Sequence, residues 1–250
     1  FFKTYYAPNN AVLTIVGDFD RKHALAMVHK YFADIPRQPP PPPVDLREPE
    51  QKGERREIID DPLARLVRLQ IGYKAPPGAT PDHYPMQVLS SILQGGDSSR
   101  LYQSLSKDKE LVVSVSGYLD ERIGAGGLYI GATVRPDKKV EDVEAAIYAQ
   151  IERLANQPIA EWELEKAKNT MRFAYLQSIG GAQTRATLLG AYTVKFDAPN
   201  LMNTRLERIE AVASADVQRV AQQYLRPEKR TVLIARPAPA AAKSVQRPGE

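Results

Sequence analysis

The sequence predicts an α+β fold, a layered sandwich in which helices pack on one face of a largely antiparallel sheet. Apolar and polar residues alternate over three stretches, 67–73, 111–119 and 127–135, as expected of strands that are buried on one side. After residue 139 the apolar residues instead recur every three or four positions, which is typical of amphipathic helices. Strands followed by several helices favour this layering over alternating βαβ units.

Residues 1–36 predict a strand and a helix that lead into the main domain. The β-branched run at 10–17 is suited to a buried strand. Asp20 is the expected N-cap of the helix that follows, and Pro36 ends that helix. The apolar residues of this helix are spaced by three or four positions: Leu25, Val28, Phe32 and Ile35.

A proline-rich linker is predicted over residues 37–54, with five consecutive prolines at 39–43. Such a run forms a semi-rigid extended spacer rather than part of a core. A ligand for an SH3-type domain is the alternative interpretation, and we favour the spacer. Residues 55–237 form the predicted main domain, and the Ala/Pro-rich tail at 238–250 is expected to be disordered.

The first half of the main domain predicts a strand, two helices and a hairpin. Asp82 is the expected cap of a helix through Leu93, and a second helix is predicted near 98–107. The strands at 111–119 and 127–135 then form an antiparallel hairpin. Alternation predicts the core-facing residues of this hairpin: Val113, Val115, Leu119, Leu128, Ile130, Ala132 and Val134.

The second half predicts four helices and a strand. The helices are a first from Val140 to Leu154, a second from Glu161 to Ser178, a third near 184–196 and a fourth capped by Ser214, and the strand lies at 231–235. The stretch QYLRPEKRTVLIAR before and within that strand resembles TYYAPNNAVLTIVG near the start. The similarity suggests that one helix–turn–strand unit occurs twice.

Composition excludes several classes of site. The chain has no cysteine, which excludes disulfides, thiolate metal sites and cysteine nucleophiles. Its net charge is +4, but the charges are interspersed along helices, and no nucleic-acid-binding motif is present. No apolar run is long enough for a membrane span.

No set of residues predicts catalysis or a metal site. Hydrolytic zinc sites need two histidines one helical turn apart with a carboxylate nearby. His23 and His29 are six positions apart and His83 stands alone, so all three are expected to be surface or boundary residues. The stretch GGDSSR also lacks the G-x-S-x-G pattern of a serine hydrolase.

The glycine and serine pairs before Arg100 nevertheless mark a candidate surface for a substrate or partner. Its residues are Gly95, Gly96, Ser98, Ser99 and Arg100. A helix that begins there offers free backbone N–H groups to an anion. The simpler interpretation, which we favour, is that the serines cap this helix.

Several stretches, taken in order, resemble the pitrilysin/insulinase-type zinc metallopeptidases, the inverzincins. They are YYAPNNAVLTIVGDFD, HKYFADIP with its linker, ILQGGDSSRLYQSLSKDKELVVSVSGY, ELEKAKNTM and IEAVASADVQRVAQQYLRPEKRTVLIARP. The resemblance spans about Phe1 to Pro237 and implies the fold of the mitochondrial-processing-peptidase type. The family's zinc motif, H-x-x-E-H, belongs to a preceding homologous domain, and this chain resembles the inactive C-terminal-type domain that follows it.

Two positions depart from the substrate-binding versions of this domain. The resemblance implies an arginine and a tyrosine that reach towards the peptide at the zinc site, and the aligned residues here are Ser106 and Val113. Neither supplies a guanidinium or a phenolic hydroxyl. A domain without the pair fits the C-terminal part of a zinc-bearing half, and a homologous subunit would then supply the pair. The alternative is a fully non-catalytic homologue, like the core proteins of the respiratory cytochrome bc complex.

The resemblance therefore implies a non-catalytic domain of a zinc-dependent endopeptidase, forming chamber wall and a surface for substrate and partners. Zinc is expected in the full-length protein and not in this chain, which is expected to be inactive alone. The implied partners are an upstream zinc-binding domain, a homologous subunit and a peptide substrate. A structural assembly subunit is one alternative, and a peptide-binding module whose edge strand lies near 65–73 is another. The expected compartment leans to the bacterial periplasm or envelope.

Overall fold

A five-stranded mixed sheet organises the computed structural model, which describes residues 1–238. The strands lie in the order β1-β5-β2-β4-β3. The pair β1 and β5 is parallel, and the other three pairs are antiparallel. The strands are β1 (Arg55–Asp61), β2 (Arg68–Ala75), β3 (Val112–Asp120), β4 (Gly126–Val134) and β5 (Arg230–Pro237). The predicted α+β class is confirmed. The predicted tail begins at the end of the described residues and otherwise lies outside them.

Eight α-helices accompany the sheet in the described part of the chain. They are α1 (Phe2–Tyr5), α2 (Arg21–Phe32), α3 (His83–Gln94), α4 (Val140–Asn156), α5 (Glu161–Ser178), α6 (Ala182–Phe196), α7 (Leu201–Glu210) and α8 (Ser214–Tyr224). A π-helix spans Tyr102–Asp108, and short 3₁₀ turns occupy Pro8–Asn10 and Pro227–Lys229. None of the described helices is long and apolar enough to cross a membrane.

The core lies between one face of the sheet and helices α3, α4 and α8. Alternate residues of the strands point into it, and Ile71, Leu128 and Ile130 are fully buried there. On the helix side, apolar residues three and four positions apart fill the same space, among them Leu89 and Ile147. Burial of this face accounts for the layered arrangement that the sequence predicts.

The opposite face of the sheet carries mostly small and polar side chains. Strand pairing brings the following residues onto it: Gln70, Gly72, Lys74, Ser114, Ser116, Gly131, Thr133 and Thr231. The rings of Tyr118 and Tyr129 stack on this face with their centroids 5.0 Å apart. An antiparallel sheet commonly has one packed and one solvated face, and this sheet follows that rule.

The expectation that the strand near 65–73 is a free edge is wrong. That segment is β2, which pairs with β4 on one side and β5 on the other. The edges of the described sheet are β1 and β3. Alternation predicted the strand itself but not its neighbours, because a half-buried pattern is the same in central and edge strands.

Two elements have no counterpart in the prediction, β1 and α7. Strand β1 reads RREIIDD, and its residues are exposed or half-buried, so it lacks the apolar alternation of a packed strand. It is held by its parallel pairing with β5, and ion pairs join Arg56 to Glu144 of α4 and Asp60 to Arg236 of β5. Charged residues on an edge strand are common because they discourage pairing with other chains.

The run predicted as a buried strand at 10–17 forms no strand: Asn10 belongs to the 3₁₀ turn, and residues 11–16 pair with no described strand. Val12, Leu13 and Ile15 are 44%, 59% and 47% exposed. The segment is held on one side only, where Thr14 Oγ1 donates to the Ala186 carbonyl at 3.0 Å. Helix α2, which follows, has no buried residue. The apolar patterns of both elements are present, but nothing described in this chain covers them.

Helix caps follow the prediction at one of three positions. The Asp20 carboxylate accepts a hydrogen bond from the His23 N–H, as expected of an N-cap. Asp82 precedes α3 but accepts from Arg219 and Tyr224 instead. Ser214 lies inside α8, and its hydroxyl accepts from the Ile159 N–H. These two side chains tie helices together rather than cap them.

A β-bulge at Val113 interrupts the predicted alternation of β3. The register shifts between Val112 and Ser114, so that Val112 is buried and Val113 is 61% exposed. The expectation that Val113 faces the core is therefore wrong, because a bulge adds one residue and re-aims the side chains before it. Beyond the bulge, Val115 and Leu119 pack against the core as predicted.

His83 is buried completely, contrary to its expected place at the surface or at a boundary. Its Nε2 atom lies 3.0 Å from Glu121 Oε1, although not in hydrogen-bond alignment. Arg205 Nη1 lies 3.0 Å from the same oxygen. Burial alone would raise the pKa of Glu121, but the contacts with His83 and Arg205 outweigh it and lower that pKa to about 2. This ionic cluster joins α3, the β3–β4 loop and α7.

Candidate functional site

The glycine pair of the candidate surface has a backbone role. Gly95 ends α3, and a Cβ there would collide with the Ser91 carbonyl oxygen. Gly96 has a φ of +78°, in the left-handed region that L side chains rarely adopt. Together with the turn that contains Ser98 and Ser99, they lead the chain from α3 into the helix that begins at Arg100.

Substituting Gly96 by alanine is expected to lower the free energy of unfolding by about 1 kcal/mol, because alanine is strained at this φ. The measurement is urea unfolding at neutral pH. Gly53→Ala is the matched control, since that site is equally open and its φ is not in the left-handed region. Equal stability of the two variants would contradict the strain argument.

The segment after the glycines is a π-helix rather than the predicted α-helix. The helix begins with α-helical geometry at Arg100 and becomes a π-helix, with i→i+5 hydrogen bonds, over Tyr102–Asp108. At its end the Lys109 N–H donates to the Ser104 carbonyl at 3.2 Å. Neither Ser98 nor Ser99 makes the capping hydrogen bond that we favoured. π-Helical turns are rare and occur frequently at functional sites, which keeps this segment the leading candidate.

Arg100 is fixed by a bidentate ion pair with Glu163 at the start of α5. Its Nε donates to Oε1 at 2.8 Å, and its Nη2 donates to Oε2 at 2.7 Å. The two side chains are only 16% and 14% exposed. The hydrogen bonds from Arg100 lower the pKa of Glu163. The pair locks the π-helical segment onto α5.

A shallow depression of about 240 Å³ lies between this segment and the edge strand β3. We call it the β3 depression. It is lined by Gln94, Gly96, Asp97, Ser99, Leu101, Tyr102, Val115, Ser116 and Gly117. Two of the five predicted surface residues, Gly96 and Ser99, therefore line it, whereas Ser98 and Arg100 line a pocket on the other side of the helix.

The two positions aligned with the family's arginine and tyrosine lie close in sequence to this depression but do not line it. Ser106 is half-buried in the π-helix, and Val113 is exposed on the bulge of β3. A longer polar side chain at Val113 would project into solvent from the sheet edge. The bulge gave no signal in the sequence, because an extra residue leaves the apolar composition of the strand unchanged.

The side chains of residues 1–238 do not fit a zinc site. His23 and His29 lie exposed on α2, and His83 is enclosed with a single carboxylate, Glu121. Within residues 1–238 no group of three or more His, Asp or Glu side chains is placed to hold a metal ion. Catalytic zinc requires three protein ligands and an open position.

The fold is that of a mixed α+β domain with helices packed on its sheet. Residues 1–171 match the family described as the peptidase M16 inactive domain. The chain belongs to that family. The resemblance to the inactive C-terminal-type domain of pitrilysin/insulinase-type zinc peptidases is thereby confirmed.

Similar proteins are zinc proteases and related subunits. The chain is 25% identical over 239 residues to zinc protease PqqE of Helicobacter pylori, covering 95% of this chain and 54% of that protein. It is 24% identical over 244 residues to the mitochondrial-processing peptidase subunit beta of Lentinula edodes, covering 90% and 50%. The chain thus spans about half the length of these relatives, so in them this domain is part of a larger chain.

A solved structure shares the fold over nearly the whole chain. The crystal structure of a protease from Helicobacter pylori superposes with a TM-score of 0.86 and 24% identity, covering 94% of this chain and 57% of that one. This likeness supports the α+β assignment and the order of elements described above.

Proposed function

We propose that this chain is the non-catalytic domain of a zinc-dependent endopeptidase. In this proposal it packs against a zinc-binding domain upstream in the same polypeptide, which carries the hydrolysis. The small, polar face of the sheet forms part of the wall around the substrate. Zinc belongs to the companion domain and not to this one.

The uncovered apolar surface of residues 1–36 carries the proposal. We call it the N-terminal apolar surface, formed by Leu13, Val28, Phe32, Ile35 and their neighbours in residues 5–13. Burying one such large side chain is worth about 1.5–3 kcal/mol. Contiguous exposed apolar patches are rare on monomeric domains and mark interaction sites.

The internal repeat supports a specific mode of packing. Both copies of the unit pass through a 3₁₀ turn, Pro8–Asn10 in one and Pro227–Lys229 in the other. The second turn leads into β5, which pairs on both sides. The first leads into residues 11–16, which pair with no described strand. We therefore propose that residues 11–16 complete the sheet of the companion domain.

The coding sequence upstream of Phe1 provides the first test. An H-x-x-E-H motif within one domain length is expected. A parent gene that lacks the motif, or has it degenerate, would overturn the peptidase proposal in favour of an assembly subunit.

The second test measures association. The upstream domain is produced separately and titrated with this chain by calorimetry. Leu13→Asp and Phe32→Asp are each expected to weaken association by about 100-fold, because each places a charge in an apolar contact. Leu63→Asp is the matched control, since Leu63 is 89% exposed on the β1–β2 loop. Unchanged affinity of both variants would contradict the assigned surface.

Chelator-sensitive peptide hydrolysis by this chain alone would contradict its non-catalytic role.

The free edge of β3 favours a second candidate function, capture of an extended peptide. An edge strand presents unpaired backbone groups, and the adjoining β3 depression offers room for one side chain. Tight binding of an extended peptide to this chain in the absence of any companion domain would favour this candidate over the docking role.

A further inference from the structure

A second pocket lies on the other side of the π-helical segment, between it and helices α4 and α5. It has a volume of about 330 Å³, and we call it the Trp162 pocket. It is lined by Ser98, Arg100, Gln103, Ser104, Asp108, Gln150, Arg153, Gln157, Trp162 and Glu163. The β3 depression and the N-terminal apolar surface share none of these residues.

Two buried polar side chains line the pocket without a protein partner. Ser104 is 7% exposed and Gln150 is 9% exposed. Neither side chain hydrogen-bonds to any residue in the described part of the chain. Their polar atoms are not sealed from solvent, so each is free to pair with water or with a ligand that enters the pocket. Both can donate a hydrogen bond into the pocket.

The two arginines and two carboxylates of the pocket lining balance in number, but Arg153 is left without an ion-pair partner in the described part of the chain. Arg100 is neutralised by Glu163 through two hydrogen bonds. Arg153 has no carboxylate within ion-pair distance among residues 1–238. Lys166 adds a second cation at the rim, where its Nζ donates to the Ser98 carbonyl at 2.9 Å. Asp108 is the one further acid of the lining, and it is exposed.

Trp162 gives the pocket an apolar wall beside these donors. Its side chain is 64% exposed, which is unusual for an indole of a folded domain. An exposed aromatic ring next to a guanidinium suits a ligand that combines an apolar part with an anionic group. The neighbouring Gln103 and Gln157 supply further amide groups.

We propose that the Trp162 pocket binds a carboxylate attached to an aliphatic or aromatic group. The carboxylate pairs with Arg153 and accepts from the buried Ser104 and Gln150, and the apolar group lies on Trp162. The carboxyl terminus of a peptide and a free N-acylated amino acid share this chemistry. The site is independent of the docking role proposed above, so each can fail without the other.

The pocket contains its own reporter, because Trp162 is the single tryptophan of the chain. Tryptophan fluorescence is titrated with N-acetyl-L-leucine and with its amide, which differs only in lacking the charge. Saturable quenching or enhancement by the acid, with binding of the amide at least about tenfold weaker, is the expected result. Equal binding of acid and amide, or binding of neither at millimolar concentration, would overturn the proposal.

Two variants locate the site. Arg153→Gln is expected to weaken binding of the acid by at least about tenfold, since a charge-assisted hydrogen bond is lost. Arg68→Gln is the matched control, because Arg68 is also exposed but lies on β2. Melting curves verify that both variants fold. Wild-type affinity of Arg153→Gln would overturn the assignment.

A tripeptide that ends in leucine, with a free or an amidated carboxyl terminus, distinguishes the two sources of the carboxylate. Tighter binding of the free-acid tripeptide than of N-acetyl-L-leucine identifies a peptide terminus as the ligand. Equal binding of the two acids identifies a free carboxylate. Loss of the difference between free and amidated tripeptide would count against the proposal.

Discussion

Replacing Arg100 with methionine is expected to lower the free energy of unfolding by about 3 kcal/mol, because it leaves the Glu163 carboxylate nearly buried without its cation. The loss exceeds that of a surface ion pair, which is worth at most about 1 kcal/mol. Urea unfolding at neutral pH measures it. The pair joins the π-helical segment to α5, so both elements lose their fixed contact.

A double-mutant cycle separates the ion pair from the packing of the two side chains. The variant with both Arg100→Met and Glu163→Met is expected to recover most of the lost stability, because no uncompensated charge then remains. Arg47→Met is the matched control, since the Arg47–Asp45 pair is fully exposed. Additive losses in the cycle would show that the two residues contribute independently, contrary to this prediction.

Replacing Glu121 with glutamine is expected to cost about 3 kcal/mol at neutral pH, because Arg205 is then left largely buried without a carboxylate. The effect depends on pH. The pKa of Glu121 lies at about 2 in the folded chain, below its ordinary value of 4.5. Its stabilising contribution is therefore complete above pH 4.5 and is lost as the pH falls towards 2.

The measurement compares wild type and Glu121→Gln by urea unfolding at pH 7, 5 and 3. The difference between them is expected to be constant from pH 7 to 5 and to narrow at pH 3. Glu57→Gln serves as control, because Glu57 lies exposed on β1. A difference that stays constant to pH 3 would mean that the charge of Glu121 is not what stabilises the cluster.

The β3–β4 hairpin and the central strand β2 were predictable because the alternation of apolar and polar residues within each segment indicates a strand. Residues 127–135 alternate strictly, and Leu128, Ile130, Ala132 and Val134 are all buried as expected. Strand β1 was not predictable, because it has no apolar face and its partner strand β5 lies 176 positions further along the chain. A pattern read within one segment carries no information about such partners.

The candidate sites were also predictable only where they depend on local sequence. The sequence singled out the stretch from Gly95 to Arg100, and the structure places parts of it beside two separate depressions. The Trp162 pocket could not be found in advance, because it forms where residues 98–108 meet α4 and α5. Arg100 and its partner Glu163 are 63 positions apart. Burial of His83 was likewise invisible, since a lone histidine has the same local context inside or outside a core.

The parallel pairing of β1 with β5 has a consequence for how the chain folds. Partners in this pair, such as Asp60 and Arg236, are 176 positions apart, and β5 also pairs with β2. During synthesis, β1 and β2 therefore cannot pair with their common neighbour β5 until almost the entire domain has left the ribosome. Such high contact order slows folding and leaves strand edges open to other chains in the interval. A nascent chain that stalls before Arg230 would leave β1 without a partner and one side of β2 unpaired, and the addition of β5 covers both edges in one step.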